Sequence, residues 1–325
     1  MKIKLIKISE GYMKDGRKPI IDLYNSYFKL LKQRNKWKVE EIFLQKVLSK
    51  KTLINLPILG FSTKTKGKAL WIISGIHGEE PAGPNAIANK IKEFIRLEKI
   101  GIPIVLIPLA NPRGYFKNYR YPYDSRKCFG GKSIGDSEHI LIDIKNPKSP
   151  RKIKPSLPDS DALTKFIVNT SKDYPPLLVI DLHEDLISEF CENPFYRSLY
   201  NDLGETYIYS QGKLGKDDPI AKEIVKIMLN KKHPIKISGR LKTRFGEEVV
   251  NGIVSGIKDG SVDELLASKK IFFNNKLIKG PNAKSVVVVE TLAGDPRHPY
   301  KKRLIIHSKI IKSLKRFWKI VNRID

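Results

Sequence analysis

The run Ala69-Leu70-Trp71-Ile72-Ile73-Ser74-Gly75-Ile76-His77-Gly78-Glu79-Glu80 decides how the rest of the chain is read. Its first part is apolar without alternation, as expected of a strand covered on both faces. Gly75 ends that strand. His77 and Glu80 follow, three residues apart, where strand gives way to helix. Pro81 and Pro84 come next, where a helix start tolerates proline, and a helix is predicted over Pro84 to Leu97. Buried strands that hand polar residues to their carboxyl ends belong to open α/β sheets, in which ligands bind beyond those ends.

The same pattern recurs outward from this run. Ile104 to Leu109 is an apolar strand closed by the turn Asn111-Pro112-Arg113-Gly114. Leu177 to Asp181 is another, with His183 just beyond it. Val286 to Val289 is four valines in a row, ending on Glu290. Leu53 to Phe61 is a shorter strand, broken by Gly60. Helices are predicted over Ser160 to Ser171, Asp217 to Asn230 and Leu304 to Val321, and residues 20–49 mix apolar and basic positions at helical spacing. Residues 115–158, rich in Tyr, Arg, Gly, Ser and Pro, form a long loop, which is uncommon unless functional. The expected fold class is α/β: a mixed, largely parallel central sheet with helices on both faces. One domain over 1–325 is expected, with 1–60 an N-terminal elaboration and 300–325 a C-terminal helix.

Composition narrows the function. The chain is 325 residues long and 41% apolar, enough for a sizeable core. Its formal net charge of +27 invites a nucleic-acid reading. The lysines, however, are scattered along the whole chain among Ile and Asn, and no zinc-finger spacing, RNA-binding aromatic signature or basic heptad run is present, so nucleic acid is not the expected partner. The two cysteines, Cys128 and Cys191, exclude a disulfide framework and a cysteine-ligated structural zinc. Met1 to Tyr12 lacks the continuous apolar run of a secretion signal, and no stretch of about 18 apolar residues occurs. The expectation is a cytoplasmic protein with no membrane partner.

The polar residues at the strand ends support one chemistry. Catalytic zinc takes three protein ligands from His and carboxylate and leaves a further position open. His77, Glu80 and His183 supply that set, for one Zn2+ per chain, and Asp181 stands where it could orient a ligating imidazole. Hydrolysis also needs a base, and Glu290, closing a buried strand, is the candidate. Burial there should raise its pKa. Arg113, Arg120 and Arg126 lie between the metal segments, and one of them, Arg126 first, could steady a developing oxyanion. Surface roles are the ordinary alternative for Arg113 and Arg120, and a core or surface role for His233, His298 and His307.

From about Leu70 to Leu292 these residues resemble the zinc carboxypeptidase family and its relatives, the aspartoacylase and succinylglutamate desuccinylase deacylases. His77-Gly78-Glu79-Glu80 resembles the family's first ligand pair, His183 its third ligand, and Glu290 before Thr291 its general base. Asn111-Pro112-Arg113-Gly114-Tyr115 is similar to the family's Asn-Pro-x-Gly-aromatic turn, which implies that Asn111 and Arg113 lie at the substrate. Arg126 falls where the carboxypeptidase branch places its oxyanion arginine. The resemblance implies hydrolysis of a peptide or an N-acyl amino acid by zinc-activated water, with a deacylase or a catalytically inactive basic binding protein as alternatives. One departure stands out. Where the family has Asp-x-Asn-Arg, whose Asn-Arg pair grips a terminal carboxylate, this chain has Asp136-Ser137-Glu138-His139. Glu138 and His139 are therefore candidate substrate residues of a different preference. Tyr207 and Tyr209 are in range of the family's capping tyrosine, with no motif to fix either.

Overall fold

The computed structural model describes residues 11–33, 35–125, 130–186, 207–229, 247–256, 258–294 and 298–324. Apolar runs build its centre. Strands β3 (Ala69–Ser74), β4 (Ile104–Ile107), β5 (Pro176–Leu186) and β11 (Ser285–Ala293) lie side by side in the order β4-β3-β5-β11, all parallel. Every residue of β3 and β4 is buried. Parallel pairing of this kind requires cover on both faces. Leu70 and Ile72 point to one core, with Ala86, Phe94, Ile310 and Phe317, while Trp71 and Ile73 point to another, with Leu163, Ile167 and Leu265. The first core is roofed by α1 (Ile20–Tyr27), α2 (Ala82–Asn89), α3 (Ile91–Lys99), α6 (Pro219–Met228) and α8 (Tyr300–Arg323), the second by α5 (Pro158–Asp173) and α7 (Val262–Ala267).

Antiparallel strands extend this centre into a nine-stranded sheet. On one side stand β2 (Thr52–Thr63) and β1 (Trp37–Ser49), and on the other β6 (Tyr207–Ser210), β8 (Ile253–Ser255) and β7 (Val249–Val250). Only β6 and β8 run parallel there. A separate hairpin joins β9 (Lys270–Phe273) to β10 (Lys276–Lys279). No described helix is long and apolar enough to cross a membrane.

Four expectations change. The helix read over 20–49 covers only α1 and a 3-10 turn at Phe28–Lys32; from Trp37 the chain is strand, paired with β2 from Trp37↔Thr63 to Ser49↔Thr52. Spacing alone does not separate a short amphipathic helix from a half-buried strand, and long-range pairing decides. Gly60 does not break its strand. A Cβ there would lie 2.4 Å from Phe166 Cζ, so the missing side chain makes room for the α5 ring. The helix expected over Pro84 to Leu97 is two helices, separated at Lys90, where φ is −113° and ψ 20°. The long loop read from 115 begins later, because Pro112–Lys117 is helical; between 118 and 157 the described residues form no helix or strand beyond the isolated bridges Asp136↔Ser261 and Ile142↔Pro150.

The β1–β2 turn places Lys50 and Lys51 at φ of 44° and 66°, a left-handed pair that suits Asn-Gly rather than two lysines. Replacing Lys50-Lys51 by Asn-Gly should stabilise the fold by about 1 kcal/mol, once glycine's extra freedom in the unfolded chain is counted. The midpoint of urea unfolding should rise; an unchanged or lower midpoint would show that the turn carries no strain.

Candidate metal centre

The turn after β3 is held from outside. Gly78 sits so close to α4 (Pro112–Lys117) that a Cβ would lie 2.0 Å from the Gly114 carbonyl carbon, so only glycine fits there, and a Cβ on Gly114 would in turn lie 2.4 Å from the Asn111 amide. Asn111 caps α4 by accepting from the Gly114 N–H at 2.9 Å, and its amide donates to the Arg120 carbonyl at 3.2 Å. The Gly78 N–H donates to that same carbonyl at 3.4 Å. Asn111 is fully buried between these partners and does not line the cleft. The turn it braces presents His77 and Glu80.

His77, Glu80 and His183 come together. His77 Nδ1 is 2.7 Å from Glu80 Oε1, His183 Nδ1 is 3.0 Å from Glu80 Oε2, and the two imidazole centroids are 5.1 Å apart. One ligand atom from each lies within 4.8 Å of the others. Glu80 is only 2% exposed. An isolated carboxylate at that depth would be costly. Arg120 donates to Glu79 Oε1 at 2.9 Å and to Glu80 Oε1 at 3.0 Å, and the Glu184 N–H donates to Glu80 Oε2 at 3.1 Å. Asp181 Oδ2 stands 3.1 Å from His183 Nε2, behind the ring, where an orienting carboxylate belongs. Glu184 is tied in turn to the Ala82 N–H at 2.7 Å and to Arg303 of α8.

Electrostatics prepares these side chains for a cation. Burial, assisted by Arg120, lowers the His77 pKa to about 4, so its ring is neutral and keeps a lone pair. Burial alone would raise Glu80, but His77 and His183 outweigh it and hold the carboxyl well below its ordinary value. Burial works against a proton on His183, yet Asp181 and Glu80 outweigh it and the pKa lies well above the usual imidazole. His183 Nδ1 is buried and meets Glu80 Oε2 as an ion-pair contact outside hydrogen-bond geometry. Two imidazoles and a carboxylate converging in this way fit a divalent ion with nitrogen and oxygen ligands.

Glu290 faces the same space. It pairs in register with His183 on β5 and with Tyr207 on β6, and it lines a cleft of about 840 Å³ with His77, His183 and Arg120. Part of it stays open to the cleft. Burial pushes its carboxyl up to about 8; His183 lowers it, and Glu80 and Asp185 raise it further.

A search of known folds places this arrangement. No protein-family model matches the sequence, and no curated protein matches it. In structure the chain is similar to a candidate metallopeptidase from Shewanella amazonensis SB2B, with 15% identity over 91% of this chain and 92% of that one, at a TM-score of 0.62. Bovine thrombin-activatable fibrinolysis inhibitor, in its complex with tick carboxypeptidase inhibitor, aligns over 95% and 98% with 12% identity and a TM-score of 0.57. A metallo-carboxypeptidase from Burkholderia cenocepacia aligns over 91% and 68% with 12% identity and a TM-score of 0.51. This is a zinc carboxypeptidase-like fold. Identities this low carry the architecture alone, so the chemistry of the carboxypeptidase-like site rests on the residues themselves.

The other expected site residues divide. Glu138 lines the cleft and pairs with Lys152. His139 does not line it; its ring lies 3.5 Å from Asp161 Oδ1. Arg113 is also away from the cleft. Its guanidinium lies over Tyr123 and reaches the Lys46 carbonyl, and its N–H donates to Gln45 Oε1 at 2.8 Å. Arg126 and His233 fall outside the described residues. Tyr207 and Tyr209 both line the cleft, and His307 is buried against Thr291 at 3.0 Å. Two residues gain a place that spacing did not assign: Arg120 as the counter-ion of Glu79 and Glu80, and Asp263 in the cleft wall.

Three outcomes follow from this geometry. Asp181→Asn should weaken zinc affinity about 10–100-fold in a chelator competition, and affinity should climb with pH above about 6.5, because the metal must displace a proton that metal-free His183 holds tightly. Flat affinity across that range would contradict the assignment of His183. Arg120→Ala should cost about 3–5 kcal/mol of folding stability by stranding two buried carboxylates, with Arg120→Lys recovering part of it in denaturant unfolding.

Proposed function

We propose that this chain is a zinc-dependent hydrolase that cleaves an amide bond in a peptide or an N-acyl amino acid. The observation that carries this reading is the register pair Glu290↔His183. It puts a carboxylate with a raised proton affinity on the strand next to a metal ligand, inside one cleft. His77, Glu80 and His183 would hold the ion. When bound, zinc supplies a Lewis acid that activates water and polarises a carbonyl.

The remaining work falls to the chain. Glu290 takes the proton from the attacking water and passes it to the leaving nitrogen. Asp181 keeps the His183 ring turned so that Nδ1 faces Glu80. Arg120 is a fixed cation on the cleft wall beside the triad, where it balances Glu80 and favours negative charge developing on the carbonyl oxygen. Arg126 is proposed for that oxygen too, on resemblance. Tyr207 and Tyr209 line the cleft on β6, beside Glu290, and Tyr207 donates to Asp185 Oδ2 at 3.2 Å.

Glu290→Gln should keep one zinc per chain and lower kcat about 10²–10⁴-fold, measured against a panel of peptides and N-acyl amino acids with zinc supplied. The base works only when deprotonated, so kcat/KM should rise with pH. Its acid limb should fall below the metal-free value of about 8, because a bound cation favours the carboxylate. Full activity in Glu290→Gln, or turnover indifferent to chelators, would sink the reading.

A further inference from the structure

The charge of the cleft opposes that of the protein. The chain carries a formal +27, yet among the described residues nine carboxylates and only two fixed cations, Arg120 and Lys258, line the cleft. Arg120 is already engaged by Glu79 and Glu80. The acidic wall is built from two segments. Asp136 bridges Ser261, the Ser137 N–H donates to the Gly260 carbonyl at 2.7 Å, and Glu138 lies over Gly260, where a Cβ would be 2.4 Å from Glu138 Cγ. Lys152 offsets Asp136 and Glu138.

Deeper in, one carboxylate is not offset. Asp263 is 5% exposed and lines the cleft, and its buried Oδ1 accepts no hydrogen bond. Asp181, fully buried, is its neighbour, and its Oδ2 is answered by His183 Nε2 at 3.1 Å. Oxygens from the two lie within 4.8 Å of each other and of a His183 nitrogen. His183 already answers Glu80 and Asp181, so Asp263 is the buried carboxylate left in need of a cation. Val262 and Val288 line the cleft beside them. Apolar walls ending on a carboxylate suit an alkyl stem with an ammonium or guanidinium tip. A second metal ion fits less well, because the one imidazole there, His183, has both nitrogens engaged, Nδ1 at Glu80 and Nε2 at Asp181.

We infer that the cleft selects substrates carrying an ammonium or guanidinium group, which docks against Asp263. This rests on the amide-hydrolase reading, and it names the class of amide: one with a basic side chain or amine near the scissile bond. Net positive charge opposes approach from afar, but screening limits that repulsion beyond about 8 Å at physiological salt, so the local carboxylates decide binding.

Calorimetry on the zinc-loaded chain tests this with probes that hold no amide: agmatine and pentylammonium as cations, pentan-1-ol as the neutral control and hexanoate as the anion. The cations should bind at least tenfold tighter than pentan-1-ol, and hexanoate weakest. Asp263→Asn should remove most of that margin; Asp259→Asn, on the exposed rim of the same wall, should narrow it two- to threefold. Equal binding of cationic and neutral probes overturns the inference. So does uptake of two zinc ions per chain that falls to one in Asp263→Asn, which would assign Asp263 to a second metal. A preserved cation preference without turnover of any amide supports the inference and counts against the hydrolase reading alone.

Discussion

The buried carboxylate of Glu80 is the constraint around which this molecule is arranged. Left alone at 2% exposure it would cost several kcal/mol. The chain meets the charge from four sides: two imidazoles, the Arg120 guanidinium and the Glu184 N–H. They come from three parts of the fold. His77 comes from the turn after β3, Arg120 from the loop after α4, and His183 and Glu184 from the end of β5. Through Glu184 the same network reaches Arg303 in α8. Metal affinity and folding stability therefore draw on shared contacts, and a change that loosens Arg120 or Glu184 acts on both.

Much of this was legible in the sequence because it depended on local pattern. Continuous apolar runs at Leu70, Ile104, Leu177 and Val286 became the four parallel strands, and the polar residues following three of them met at the cleft. What pattern could not supply was partner identity. β1 read as helix because its apolar spacing is ambiguous and its pairing with β2 is long-range. Asn111 and Arg113 read as substrate residues, yet the first is a helix cap and loop brace and the second packs on Tyr123. Arg120 looked like one more arginine in a basic chain. Only three-dimensional proximity reveals it 3.0 Å from Glu80. Asp263, with no motif around it, gave no signal before the fold placed it near Asp181.

The cleft also explains the departure at Glu138-His139. Glu138 turns into the cleft beside Gly260, whereas His139 turns toward Asp161. One of two adjacent residues lines the cleft and the other packs on the scaffold. Along this wall the described side chains carry carboxylates where a carboxylate-gripping site would need guanidinium.

The pairing of β5 with β11 has a wider consequence. Side chains alternate faces along a strand, so a slip of one residue would take Glu290 off the cleft and press its charge into the core that holds Val287 and Val289. A misregistered chain would thus be penalised by the very group that a correctly paired chain uses. The acid at the end of the valine run acts as a checksum on strand alignment: only molecules whose sheet has zipped in the right frame avoid the penalty. Selection for activity and selection against misfolding then act on one residue in the same direction.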